Sequence, residues 1–186
     1  MPSALLYGHS QTGGMGLDMR AALQAAGFDV TLSVHNGKTD AWLLDHLPEL
    51  GDLGPYQRVV AYLGGNATAP DAATIVQLAQ ALGGPDKVAV VLPPLNADKA
   101  PDAEKAYRNA AHVQALQGSG FRVYIVQAPG SDFWDGVHLN PGSVASQALA
   151  EQVMADWKAG APWWAWALGI GLGLGAYGLW KRRGVV

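Results

Sequence analysis

Two polar turns hold the residues best suited to chemistry. The first turn, residues 7–16, is rich in glycine and contains Ser10, and the second places Asp135 three residues before His138. An aspartate at that spacing can orient one imidazole nitrogen of the histidine and leave the other free. An isolated pair of this kind is also common where an aspartate caps the following helix. The significance of Asp135 and His138 therefore depends on partners elsewhere in the chain.

The turn that contains Ser10 is compatible with two chemistries. It follows the apolar run 4–6 and precedes a helical pattern, so its backbone N–H groups would point outward at a helix N-terminus. Such groups suit a bound phosphate, and they equally suit the transient oxyanion of an acyl transfer. The local sequence does not decide between these two roles.

The elements that must position both turns alternate along the chain. Short apolar runs bounded by turn residues predict five buried strands, at 3–7, 30–34, 58–63, 87–92 and 121–127. Stretches with helical spacing lie between and after them, at 17–26, 41–50, 71–82, 101–117 and 143–158. This alternation predicts a three-layer α/β/α sandwich with a five-stranded parallel, flavodoxin-like sheet. Ligands of such sheets bind at the carboxyl ends of the strands, where both turns fall.

Four short blocks at the predicted strand ends occur in a characteristic order. They are Gly8-His9-Ser10, Asn36-Gly37, Gly64-Gly65-Asn66 and Asp135-x-x-His138. In this order and spacing the chain resembles the SGNH, or GDSL-like, hydrolase superfamily over residues 3 to about 158.

The resemblance implies an ester hydrolase that works through an acyl-enzyme. Ser10 would be the nucleophile, His138 its general base and Asp135 the residue that holds His138. The implied oxyanion hole combines the backbone N–H groups of Ser10 and Gly37 with the side-chain amide of Asn66. These assignments supply the base, the orienting group and the oxyanion donors that acyl transfer to a weak hydroxyl requires. The reaction needs no cofactor, and no spacing of His, Asp and Glu indicates a metal site.

Some positions are less typical of the family or less informative. His9 stands where an aspartate commonly precedes the serine, and Ala67 follows Asn66 where an aspartate is common. His9 is a weak candidate for a polar substrate contact. Phe133 and Trp134, just before Asp135, are weak candidates for an apolar or sugar-stacking wall.

The C-terminal part of the chain has a different character. Residues 161–180 form a run of 20 without charge, about the length of a helix that crosses a hydrocarbon core. Aromatic residues lie at both ends of the run, as is typical of membrane interfaces, and a basic segment follows it. We therefore expect a domain over 1–160, a transmembrane helix over 161–181 and a short basic tail over 182–186. Glycines spaced four apart would allow this helix to self-associate, namely Gly169 with Gly173 and Gly171 with Gly175.

Charge and composition exclude several classes of function. Residues 1–160 carry all 15 acidic residues and only nine of the 12 basic ones, so the domain has no basic stripe for a nucleic-acid backbone. The absence of cysteine excludes disulfides, cysteine-ligated zinc and thiol catalysis.

The predicted function is a membrane-anchored serine esterase. Its expected substrates are O-acyl, preferably O-acetyl, esters of carbohydrate or cell-envelope glycan, followed by lipid esters. The basic tail favours a cytoplasmic C-terminus and an external domain, whereas the absence of an N-terminal signal favours a cytoplasmic domain. One alternative is a flavodoxin-like protein that binds FMN phosphate at residues 10–13, which leaves Asn66, Asp135 and His138 without roles. The other is a catalytically inactive interaction module with the same fold.

Overall fold

The computed structural model of the chain describes residues 1–66, 70–98 and 103–159. Strands and helices alternate through these residues. The strands are β1 Ser3–Gly8, β2 Asp29–Val34, β3 Tyr56–Tyr62, β4 Val88–Val91, β5 Leu95–Asn96, β6 Arg122–Tyr124 and β7 Gln127–Ala128. The α-helices are α1 Gly16–Ala25, α2 Asp40–Asp45, α3 Ala72–Ala81, α4 Ala103–Gly118 and α5 Val144–Ala159.

Five of these strands form one parallel sheet. Their order is β2-β1-β3-β4-β6, and β1 is hydrogen-bonded to β2 on one side and to β3 on the other, with Leu6 opposite both Leu32 and Val60. The order reverses at β1, which is the switch point where ligands of doubly wound sheets bind. The prediction of an α/β fold with a five-stranded parallel sheet is confirmed.

Helices cover both faces of the sheet, and the alternation of side chains along β1 shows how. Leu6 packs on one face with Met19 of α1 and Val153 of α5. Tyr7 packs on the other face, where Leu78 of α3 joins the core. Successive side chains of a strand point to opposite faces, so a strand buried on both faces must be apolar throughout. This requirement explains the continuous apolar run of β1.

Two predicted elements differ from the structure. The helix predicted at 41–50 ends early, because α2 is followed by a separate 3-10 turn, Leu47–Leu50, that starts around Pro48. Proline has no backbone N–H and cannot continue the hydrogen-bond ladder of an α-helix. The strand predicted at 121–127 is divided into β6 and β7, and β7 pairs with β5 in a second, two-stranded sheet. Strands of two residues are too short for hydrophobic periodicity to predict.

Helix α5 runs antiparallel to the strands, from their carboxyl ends to their amino ends. Near its start, Ser146 donates a hydrogen bond to Asp18 of α1. Near its end, the ring of Trp157 lies 5.5 Å from the guanidinium of Arg58. Arg58 is opposite Ala4 at the amino ends of β3 and β1. The described chain therefore ends near the amino ends of the strands.

In the described ranges, no helix is long and apolar enough to cross a membrane. The transmembrane helix predicted at 161–181 and the basic tail at 182–186 lie outside those ranges. The same is true of Ala67 and of the glycines expected to support self-association.

We predict that Gly8→Ala strongly destabilises the domain. Gly8 has a φ angle of +144°, and a Cβ atom at this position would collide with the backbone carbonyl of Tyr62 in the adjacent strand. The loss in the free energy of unfolding should be about 3 kcal/mol or more. Urea denaturation followed by circular dichroism measures it. The matched control is Gly118→Ala at the end of α4, where no atom lies within 4 Å of the added Cβ; equal stability of the two variants would contradict this prediction.

Candidate active site

A continuous chain of hydrogen bonds links Ser10, His138 and Asp135. The Ser10 hydroxyl oxygen lies 2.7 Å from Nε2 of His138. On the other side of the ring, Nδ1 of His138 lies 2.6 Å from a carboxylate oxygen of Asp135. An ionised carboxylate only accepts hydrogen bonds, so Nδ1 carries the proton and Nε2 accepts from the Ser10 hydroxyl. This arrangement can deprotonate a serine.

The fold presents Ser10 directly after β1. The chain leaves the strand at Gly8 and makes a single 3-10 turn, Ser10–Thr12, before α1 begins. His9 caps this turn, because its Nδ1 accepts a hydrogen bond of 3.4 Å from the Gln11 N–H. The imidazole thus does the capping for which a short oxygen-bearing side chain is usually used.

The same turn leaves little room for a phosphate. The N–H groups of Thr12, Gly13 and Gly14 donate to the carbonyls of His9, Ser10 and Gln11 respectively. A phosphate at a helix N-terminus needs several such groups unpaired. The structure therefore argues against FMN phosphate at residues 10–13. In the described part of the chain, no cluster of three or more His, Asp or Glu residues could hold a metal ion.

Asp135 and His138 lie at the tip of a closed loop. Phe133 and Leu139 form an antiparallel bridge that brings its ends together. One oxygen of Asp135 accepts from the N–H groups of Val137 at 2.8 Å and of His138 at 2.7 Å. The other oxygen binds the His138 ring. Asp135 thus shapes the loop with one oxygen and orients the imidazole with the other.

These hydrogen bonds also set the charge of Asp135. Desolvation raises the pKa of Asp135, but the hydrogen bonds from the His138 backbone, the His138 ring and the Val137 N–H outweigh it and lower the pKa to about 2. The carboxylate therefore stays ionised over the whole working range of an enzyme. A carboxylate in this position can stabilise a positive charge on the His138 ring.

Two further side chains hold the loops together, and the sequence analysis did not single them out. Gln11 is buried, and its side-chain amide donates to the Val137 carbonyl at 2.9 Å. Asp18 accepts from the Gly142 N–H at 2.8 Å and from the Ser146 hydroxyl. Gln11 connects the serine turn to the histidine loop, and Asp18 connects the end of that loop to α1. In the sequence, the role of Gln11 is indicated only by the position of a large polar residue directly after Ser10.

The groups proposed for the oxyanion hole border one cavity with Ser10 and His138. The cavity has a volume of about 870 Å³, and Gly37 and Asn66 line it. Gly37 has a φ angle of +71°, which favours glycine. The Asn66 amide donates one hydrogen bond of 2.9 Å to the Lys38 carbonyl, and an amide NH₂ has a second proton for another acceptor. Arg108, absent from the sequence-based assignments, also lines the cavity.

The three weak candidates for substrate contacts have different positions. His9 lines the cavity but is only 2% exposed. Trp134 lines it as well, is 70% exposed, and approaches the His138 ring edge-on with 5.8 Å between centroids. Phe133 packs in the core with Leu139 and is not among the lining residues. Adjacent side chains in an extended segment point in opposite directions, so Trp134 faces the cavity while Phe133 faces the core, and the substrate contact predicted for Phe133 gains no support from its position.

Comparisons with known proteins agree in the fold. No protein-family model matches the sequence, and no curated protein matches it. Similar solved structures include a lipase/acylhydrolase from Enterococcus faecalis, with 17% identity, 86% of this chain and 96% of that chain covered, and a TM-score of 0.64. A catalytic mutant of an acetylxylan esterase from Geobacillus stearothermophilus has 16% identity, coverage of 87% and 95%, and a TM-score of 0.64.

A third similar structure is an α/β hydrolase enzyme from the metagenome of Lake Arreo, Spain. It has 16% identity, coverage of 86% of this chain and 96% of that chain, and a TM-score of 0.66. A GDSL-like lipase from Bacteroides thetaiotaomicron is also similar. The chain therefore has the SGNH, or GDSL-like, hydrolase fold, as the order of its four sequence blocks indicated.

We predict that Asp135→Asn reverses the tautomer of His138. The asparagine oxygen would keep the two backbone N–H donors of the loop, so its NH₂ group would face Nδ1 and donate to it. Nε2 would then carry the proton and could no longer accept from Ser10. Nitrogen-15 NMR of the histidine rings at alkaline pH distinguishes the two tautomers. The wild-type tautomer in this variant would contradict the prediction, and His46, far from Asp135 in sequence, provides an internal reference.

Proposed function

We propose that this protein is a serine ester hydrolase in which Ser10 is the nucleophile, His138 the general base and Asp135 the residue that orients His138. The observation that carries the proposal is the 2.7 Å contact between Ser10 Oγ and His138 Nε2, with Asp135 behind the ring. The similarity to esterase and acylhydrolase structures supports the same reaction class.

The proposed reaction has two halves. Ser10 Oγ attacks the ester carbonyl carbon while its proton passes to Nε2 of His138. The N–H groups of Ser10 and Gly37 and the Asn66 amide bind the oxyanion of the tetrahedral intermediate. The intermediate collapses, and His138 returns the proton to the departing alcohol, which leaves an acyl group on Ser10. Water then repeats the sequence, with His138 as its base, and releases the acid.

The proposed substrates are O-acyl esters, preferably O-acetyl esters, on carbohydrate. Trp134 supports this choice, because its exposed ring stands at the rim of the cavity beside His138 and offers a face on which a sugar could stack. Among the similar structures are an acetylxylan esterase and a family 3 carbohydrate esterase from Clostridium thermocellum. Lipid esters are the second candidate class.

We also propose that residues 161–181 anchor the domain as a single-pass C-terminal transmembrane helix. The support is the uncharged run of 20 residues with aromatic ends and a basic flank. Helix α5 ends near the amino ends of the strands, whereas the cavity lies at their carboxyl ends. An anchor that starts after α5 would therefore leave the cavity facing away from the bilayer. This orientation favours a polymeric or soluble substrate over a lipid of the same membrane.

We predict that Ser10→Ala lowers the rate of hydrolysis of p-nitrophenyl acetate by about 10³-fold or more. A fluorophosphonate probe should label the wild-type chain and not this variant. The control is Ser119→Ala, a serine in the turn after α4, which should keep both activity and labelling. A folded wild-type chain that neither hydrolyses esters nor reacts with the probe would favour the inactive interaction module.

The proposed anchor leads to a separate prediction for the chain that includes residues 161–186. It should remain in the membrane fraction after washing with alkaline carbonate. Replacement of Ile170 and Leu172 by arginine should release it, because charges at the centre of a span are costly. Replacement of Ala165 and Ala167 by leucine is the apolar control and should leave it bound. Release of the unmodified chain by carbonate would refute the anchor without affecting the proposed reaction.

A further inference from the structure

Asp40 is a buried carboxylate behind the proposed oxyanion hole. It is the first residue of α2 and only 4% exposed. Both of its carboxylate oxygens lie 3.0 Å from the backbone nitrogen of Gly64. Gly64 begins the loop that carries Asn66, and its φ angle of +78° is one that favours glycine. Asp40 therefore holds the first peptide of this loop, and neither Asp40 nor Gly64 is among the residues that line the cavity.

A second hydrogen bond joins the same two segments. The Asn66 amide donates to the carbonyl of Lys38, two residues before Asp40. Two hydrogen-bonded contacts thus connect the segment 37–40 to the segment 64–66. One joins Asp40 to Gly64, and the other joins Lys38 to Asn66. Gly37 and Asn66, two of the three proposed oxyanion donors, belong to these two segments.

Packing leaves the loop little freedom on its other side. A Cβ atom on Gly65 would collide with the ring of His9, and one on Gly64 would approach Nδ1 of His112 at 2.9 Å. The His9 ring in turn caps the turn that contains Ser10. The position of Asn66 relative to Ser10 therefore depends on contacts around Gly64 and Gly65 as well as on the hydrogen bond from Asn66 to Lys38.

We propose that Asp40 is a positioning residue for the oxyanion hole, which acts through the Gly64 N–H to place the Asn66 amide relative to Gly37 and Ser10. This inference rests on the proposed function of the site. Asp40 does not touch the substrate; its role is to fix donors in advance of the charge that develops in the transition state. Donors that are preorganised in this way stabilise the transition state more than the bound ester.

The energetic cost of Asp40 supports a specific role. Burial raises the pKa of Asp40 to about 6, although the Gly64 hydrogen bond partly opposes this shift, and the charge of Asp71 raises it further. The folded state therefore holds this proton more tightly than the unfolded chain does, so the carboxylate stabilises the protein least above about pH 6. Asp71, just before α3, and His112 of α4, which accepts from the Asp71 N–H, are titratable groups near the Asp40 contact, and the charge of Arg108 acts on His112 in turn. Stability at neutral pH therefore does not account for the carboxylate, whereas its contact with the Gly64 N–H gives its oxygens a defined structural role.

The central experiment compares Asp40→Ala with Asp40→Asn in ester hydrolysis. Loss of the acceptor in Asp40→Ala should lower kcat about 10-fold to 100-fold and change KM by less than about twofold. Asparagine keeps an oxygen for the Gly64 N–H, so Asp40→Asn should retain kcat within about threefold. The matched control is Asp156→Ala, a buried aspartate that is hydrogen-bonded to Tyr124 and also has its pKa raised to about 6 by burial. It should affect stability but not kcat.

A double-mutant cycle tests the route of the effect. If Asp40 acts through Asn66, then Asp40→Ala should cost less than about twofold in kcat once Asn66→Ala is present. Additive losses, or a rise in KM that accounts for the loss in Asp40→Ala, would overturn the proposal.

An NMR titration separates this inference from the proposed function. The backbone amide signal of Gly64 should shift with a midpoint near pH 6 in the wild-type chain and lose that titration in Asp40→Asn. The side-chain amide signals of Asn66 should move in Asp40→Ala and not in Asp156→Ala. Both responses in a chain without esterase activity would refute the proposed function but support the positioning. Full esterase activity in Asp40→Ala, with unmoved Asn66 signals, would refute the positioning alone.

Discussion

The hydrogen bond between Ser10 Oγ and His138 Nε2 is the interaction on which the rest of the site depends. It joins two loops that are 128 residues apart in the chain, and it is only 2.7 Å long. Neither loop could hold this distance alone. The serine turn is rigid because it closes on its own carbonyls after β1, and the histidine loop is closed by the bridge between Phe133 and Leu139. Gln11 then connects one loop to the other. The contact is therefore built by the surroundings of the two residues as much as by the residues themselves.

Two aspartates near the cavity illustrate how environment separates the roles of identical side chains. Asp135 receives several hydrogen bonds, and its pKa is lowered to about 2. Asp40 is buried with one backbone donor, the Gly64 N–H, and burial raises its pKa to about 6. The first arrangement keeps a permanent charge beside the imidazole of His138, as the proposed role of that ring as a general base requires. The second keeps an acceptor behind a loop whose position matters, at some cost in stability. Both lie beyond the carboxyl ends of the sheet, where the strands stop pairing and polar groups find space.

The sheet explains why these loops meet. β1 lies between β2 and β3, so the turns after these three parallel strands carry Ser10, Gly37 and Asn66 to the same end of the sheet. The helices cover both faces of the sheet and leave the carboxyl ends of the strands open. Helix α5 then returns the chain to the amino ends of the strands.

The sequence alone determined the alternation of strands and helices, the parallel sheet, and the four blocks that contain Ser10, Gly37, Asn66, Asp135 and His138. These are local properties, because hydrophobic period and short motifs are legible within a few residues. It did not determine which N–H groups of the serine turn are already hydrogen-bonded to carbonyls of the same turn. It also did not determine that Phe133 faces the core while Trp134 faces the cavity, or that Asp40 is hydrogen-bonded to the loop before Asn66. Those facts depend on contacts between residues that lie tens of positions apart in the sequence. They also depend on which polar groups lose contact with water when these residues pack together. Only the tertiary structure decides such contacts, since burial and hydrogen-bond partners do not exist until the sheet has closed against its helices.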